Sequence, residues 1–121
     1  MNITTINRNG IDIAAVSSDD LLITDVQSAL DLMATVRYEA GTSRIVVKKS
    51  AISEDFFDLK TRLAGEILQK FINYETKLAI YGDFSGYSSK SLKDFIYESN
   101  NGKDIFFVND EEQAVEKLSK V

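Results

Sequence analysis

The sequence predicts an α/β fold, a mostly parallel mixed sheet with an N-terminal β-hairpin and crossover helices in the order ββαβαβαβα. Three observations predict it. Two β-branched runs at the start of the chain flank an Asn-Gly pair. Three further short apolar runs then alternate with segments of helical periodicity. Each connection between those runs is long enough for a helix, which parallel strands require because no tight turn can join them.

The hairpin comprises Ile3–Ile6 and Ile11–Val16, separated by Asn7-Arg8-Asn9-Gly10. Asn-Gly suits a turn in which both central residues take positive φ. The first strand is expected at or near a sheet edge, antiparallel to the rest. Asp19-Asp20 breaks the pattern before Leu21-Leu22-Ile23. A first helix is expected from Thr24, with Gln27 three residues on as a capping box. Val26, Ala29, Leu30, Met33 and either Val36 or Arg37 follow at helical spacing, and Gly41 ends it.

Arg44–Val47 is a strand of the buried type, too short and apolar to alternate. The second helix is expected to be the longest, capped by Ser53. Phe56, Leu59, Leu63, Ile67 and Phe71 form its stripe, with Asp58, Arg62, Glu66 and Lys70 on the opposite, solvated side. Gly65 inside it is read as a close-packing position, since glycine there costs about 1 kcal/mol against alanine. Lys77–Tyr81 is the next strand, and Gly82–Lys90 is the longest irregular stretch. Ser91 and Asp94 are read as the cap of a third helix with Leu92, Phe95 and Ile96 inward, ending at Asn100-Asn101-Gly102. Ile105–Val108 is the last strand. Asp110 and Gln113 cap a final helix whose core residues are Ala114, Val115 and Leu118.

A length of 121 residues with 44% hydrophobic content fits one domain, residues 1–121, with one real core. The net charge of −5, with Lys48-Lys49 the only adjacent basic pair, argues against nucleic acid and anionic membranes as partners. There is no cysteine and no histidine. Thiolate nucleophiles, zinc–thiolate sites and the commonest general base are therefore excluded, and any metal would need an all-oxygen site. No metal or other cofactor is expected. Neither a signal-peptide pattern nor a membrane-length apolar run occurs, so a cytoplasmic protein is expected.

The order hairpin–α–β–α–β–α–β–α resembles the STAS domain of bacterial anti-sigma-factor antagonists, whose members are mostly non-enzymatic switch or docking domains, several of them nucleotide-binding. Those antagonists carry an Asp-Ser-Ser-Gly-type phosphorylation motif entering the second helix. This chain has Lys49-Ser50-Ala51-Ile52-Ser53-Glu54 there, so phosphorylation of Ser50 or Ser53 is not expected. Three stretches, Val26–Met33, Phe56–Thr61 with Leu63–Phe71, and Ser89–Asn100, resemble the bacterial and phage family called domain of unknown function 4180. That resemblance implies no activity and transfers no catalytic residue.

The first candidate site is the Gly82–Lys90 loop. Gly82 and Gly86 allow close backbone approach, Ser85, Ser88 and Ser89 offer hydroxyls, and Lys90 adds charge beside a helix N-terminus. Tyr81, Phe84 and Tyr87 are candidates to stack on a ring. It is not a Walker loop. Lys48, Lys49 and Ser50, at the end of the preceding parallel strand, would join Lys90 in an anion hole. Open parallel sheets bind ligands at this carboxyl edge. The acidic residues Asp12, Asp19, Asp20 and Asp25 match no calcium-loop spacing and read as a solvated edge with helix-start charges.

The expected function is a non-catalytic regulatory or interaction domain that binds a protein partner and self-associates into a homo-oligomer. The alternative is capture of a small anionic ligand, a nucleotide-type signal; a phage-encoded member would then sequester a host immune messenger. An enzyme acting on a phosphate or sugar substrate ranks last. Exposed aromatics on helix surfaces (Tyr74, Tyr97) would favour the protein partner, and convergence of Lys48, Lys49, Ser85, Ser89 and Lys90 the ligand.

Overall fold

Asn9 and Gly10, with φ of 56° and 79°, form a two-residue turn between β1 (Asn2–Arg8) and β2 (Ile11–Ser17). This is the start of a computed structural model that describes residues 1–121. The remaining strands are β3 (Arg44–Lys48), β4 (Lys77–Tyr81) and β5 (Ile105–Val108). They lie in the order β1-β2-β3-β4-β5, with β1 antiparallel at one edge and the other neighbours parallel. The fold is thus α/β, with the mostly parallel mixed sheet and edge hairpin that the sequence predicts.

Sequential strand order has a consequence. Every crossover steps in the same direction, and right-handed crossovers stepping one way place their helices on one face. Accordingly α1 (Val26–Ala40), α2 (Leu63–Asn73) and α3 (Lys90–Asn100) share a face. Ala29, Val36, Ile67, Phe71 and Leu92 meet Ala14, Ile45, Val47, Leu78, Ile80 and Phe107 there. The short α4 (Glu111–Leu118) covers the other face, setting Ala114, Val115 and Leu118 on Ile13, Val46, Ala79 and Phe106. Both faces of the parallel strands are buried, which is why those strands read as unbroken apolar runs. Arg8 pairs with Glu112 and, at 3.7 Å, with Glu116, tying β1 to α4.

Several helix boundaries differ from expectation. Asp25, not Thr24, caps α1. Its carboxylate accepts the Ser28 amide at 2.7 Å while the Ser28 hydroxyl accepts the Asp25 amide at 3.1 Å, and Gln27 donates to Asp31 instead. The second helix is shorter than its apolar stripe. Residues 49–51, 54–57 and 59–61 form tight 3₁₀ turns, and α2 begins only at Leu63, so α1 is the longest helix. The cause is local competition for backbone groups. Ser53 accepts the Asp55 amide, Asp58 the Lys60 amide and Thr61 the Leu63 amide, and Arg62 turns to φ 63°. Phe56 and Phe57 stay buried, so the stripe survives without the helix.

Gly65 is exposed, and a Cβ there would meet nothing within 4 Å. Close packing is not its role. Helix α3 is capped by Ser89, whose hydroxyl accepts the Leu92 amide at 3.2 Å, rather than by Ser91; Asp94 instead pairs with Lys90 at 2.7 Å. At its end Asn100 turns its amide onto β5, donating to the Phe107 carbonyl (3.1 Å) and accepting its N–H (2.7 Å).

Candidate functional site

The carboxyl edge of the sheet gathers Lys48–Ser50, Gly82 and Asn109, as the parallel topology requires. It is not an open crevice. Ile23 forms a parallel bridge with Ile52, and the Leu22 amide donates to the Ala51 carbonyl at 2.7 Å, closing the edge between β2 and β3. The strand order also never reverses, so no topological switch point opens there.

Lys49 is the centre of what remains. Its Nζ lies 3.1 Å from Glu54, 5.3 Å from the centre of the Phe57 ring and 5.0 Å from that of Tyr87. The Tyr87 hydroxyl donates to the second Glu54 oxygen at 2.8 Å. Gly82 is required here by contact, because a Cβ on it would sit 2.7 Å from the Lys49 Cβ. The Tyr87 hydroxyl first, then Glu54, hold the Lys49 ammonium above its ordinary pKa against a desolvation that lowers it. Burial pushes the Glu54 carboxyl up, but the hydrogen bonds from Tyr87 and Lys49 outweigh it and leave the group below its ordinary value. The lysine charge is therefore already balanced by a carboxylate and two π-faces.

The aromatic residues of the loop point inward. Tyr87 stacks on Phe57 with centroids 5.4 Å apart, and Phe84 meets Phe107 edge-on at 5.6 Å. Those rings fill the core margin rather than wait for a ligand ring, because buried aromatic area outweighs exposed stacking surface. Tyr81 points to the α4 side, where its hydroxyl donates to Glu111 at 3.3 Å.

The other predicted residues separate. Ser85 bonds to Asp83 through its amide (2.9 Å) and hydroxyl (2.6 Å), and those bonds lower the Asp83 pKa. Lys48, Ser50 and Ser88 are exposed. Ser89 is consumed as a helix cap, beside a cleft of about 440 Å³ that it lines with Phe57, Asp58, Lys60 and Ser91. Lys90 is 87% exposed and held by Asp94. Of the predicted set, the fold brings together Lys49, Gly82 and Tyr87, with Phe84 behind them. It does not bring Lys48, Lys49, Ser85, Ser89 and Lys90 into one anion hole, because each polar group has a nearer partner or faces solvent.

A larger concave surface lies elsewhere, on the outer side of α1. Leu30, Met33 and Ala34 form its floor, with Asp31, Arg37, Tyr38 and Tyr74 around it, enclosing about 570 Å³. Arg37 donates to the Tyr74 carbonyl (3.1 Å) and the Thr76 hydroxyl (3.2 Å), fixing the turn after α2 against α1. That contact fixes the backbone that carries Tyr74 before anything binds. Tyr38 is 91% exposed and Tyr74 53%. The sequence reading named Tyr74 but missed Tyr38. Its signal was present: Leu30, Ala34 and Tyr38 recur at four-residue spacing, a second stripe beside the core-facing one.

The family described as Domain of unknown function (DUF4180) matches residues 8–118. The chain belongs to that family. No curated protein and no solved structure matches it. The DUF4180 match leaves out residues 1–7, which hold all of β1 but Arg8, and residues 119–121 after α4, so the Lys49 cluster and the α1 groove both lie inside it. The likeness to the STAS domain rests on element order alone. No helix is long and apolar enough to cross a membrane.

Proposed function

We propose that this DUF4180 member is a non-catalytic interaction domain that docks a helix of a protein partner in the α1 groove. The observation that carries the reading is the pair of exposed tyrosines flanking an apolar floor that Arg37 holds in shape. Exposed aromatics around an apolar centre are what protein interfaces select. The groove takes an amphipathic helix with an aliphatic or aromatic anchor over Ala34, a basic residue for Asp31 and an acidic one for Arg37. Small-anion capture has less support, since Lys49 and Lys90 are each neutralised by a carboxylate. The lack of histidine and cysteine supports a binding role over catalysis.

Native mass spectrometry of protein purified from its source, with a denatured control, tests this. The expected result is a protein-sized companion that Tyr38→Asp removes and Lys90→Ala leaves in place. A companion of a few hundred daltons, released on denaturation and lost with Lys49→Ala or Lys90→Ala, would overturn the reading in favour of the anionic ligand.

A further inference from the structure

The two edges of the sheet are finished differently. At the β5 edge, the Leu78 amide donates to the Asp104 carbonyl and the Gly82 amide to that of Val108, so the backbone groups of Ile105 and Phe107 face outward. Asn100 takes both of Phe107's, and α3 packs alongside. A strand arriving there would find its central pairing residue occupied.

The β1 edge has no such guard. The two-residue turn makes Arg8–Ile11 its closing hydrogen-bonded pair, and alternation then gives Ile6–Ile13, Thr4–Ala15 and Asn2–Ser17 as the other pairs bonded to β2. The N–H and C=O groups of Ile3, Thr5 and Asn7 therefore point away from the sheet, and none finds a backbone partner elsewhere in the chain. Natural edges are protected by shortness, proline, bulges, charge or a covering element. β1 runs seven residues in unbroken register, without proline and with no charge from Asn2 to Asn7.

We infer that β1 pairs antiparallel with the β1 of a second copy of this chain, about a two-fold axis at Thr5. That register is self-complementary. Thr5 meets Thr5, Ile3 meets the second copy's Asn7, and every outward backbone group meets another outward group. Thr–Thr is a favourable cross-strand pair, and Thr4 against Ile6 sets two β-branched side chains together on the other face. Arg8, already bound to Glu112 and Glu116, falls opposite an uncharged Asn2, so no like charges meet. The two sheets become one. The axis lies on a different element from the α1 groove, and neither site needs the other.

Sedimentation equilibrium across a concentration series, combined with amide hydrogen exchange, tests this. The wild-type chain should approach twice its 13.5 kDa mass, with the amides of Ile3, Thr5 and Asn7 protected like those of Thr4 and Ile6. Thr5→Pro removes an N–H that β2 does not use, and Thr5→Lys sets two charges on the axis. Each should weaken the dimer ~tenfold or more while circular dichroism stays native. Tyr38→Asp should leave it intact, which separates this edge from the groove. A monomer at every concentration would overturn the inference. So would a dimer in which those three amides exchange freely, or one unmoved by Thr5→Lys.

Discussion

Asn100→Ala removes the clamp on β5 and nothing else of size. The side chain makes two hydrogen bonds to one residue, 2.7 Å from the Phe107 amide and 3.1 Å to its carbonyl, at a half-buried position. A typical net contribution of 0.5–1.5 kcal/mol per bond gives about 1–3 kcal/mol. Partial access of water to the vacated groups favours the middle of that range, about 2 kcal/mol. For a chain of this size that lowers Tm by about 6–10 °C. Urea denaturation followed by circular dichroism should show a lower midpoint with unchanged slope, because the surface exposed on unfolding hardly changes. Asn100→Asp separates the two bonds. Its carboxylate still accepts the Phe107 amide but faces the carbonyl oxygen, so at pH 7 it should recover little of the loss. Protonation turns one oxygen into a donor, so this variant should gain on Asn100→Ala as pH falls through the carboxylate range. An alanine variant within about 0.5 kcal/mol of wild type would refute the clamp. So would an aspartate variant as stable as wild type at pH 7.

Two glycines should respond with opposite signs. Gly82→Ala places a Cβ 2.7 Å from that of Lys49, a rigid part of the side chain. A loss of about 1–3 kcal/mol is expected in urea denaturation, with a shift of the Tyr87 ring resonances. Gly65→Ala meets nothing within 4 Å inside α2, so it should raise stability by about 0.5–1 kcal/mol; a loss would mean that something does pack there. Ser89→Ala deletes the α3 cap and should cost about 1 kcal/mol without moving the Lys49 cluster. Glu54 titrates low because its bonds to Tyr87 and Lys49 outweigh its burial. Its stabilisation is complete above the ordinary carboxylate range and disappears as pH falls through the lowered pKa. Tyr87→Phe should raise that pKa, read from the Glu54 carboxyl carbon by NMR; an unchanged value would show that the 2.8 Å bond does not hold in solution.

The strands and the edge position of the hairpin were legible because each strand is marked by short-range chemistry. Asn9-Gly10 dictates its own turn, and Ile45–Val47 and Leu78–Ile80 are apolar throughout because both faces are covered. The segment 53–62 misleads for a related reason. An apolar stripe at helical spacing reports which residues are buried, and a segment of two 3₁₀ turns buries Phe56 and Phe57 just as a helix would. Only the hydrogen bonds accepted by Ser53, Asp58 and Thr61 reveal the break, and sequence does not say whether such side chains cap or face solvent.

By itself the sequence determined the family, the α/β class and the carboxyl edge where Lys49, Gly82 and Tyr87 meet. The tertiary structure decided what those groups do. Glu54 lies 33 residues from Tyr87, and only folding brings the Tyr87 hydroxyl and ring onto the Lys49–Glu54 ion pair, leaving that lysine no free charge for an anion. In the same way Arg37 reaches Tyr74 across 37 residues to shape the groove. Local patterns fix backbone conformation, whereas aromatic packing and concave surfaces arise between elements that no short window of sequence contains.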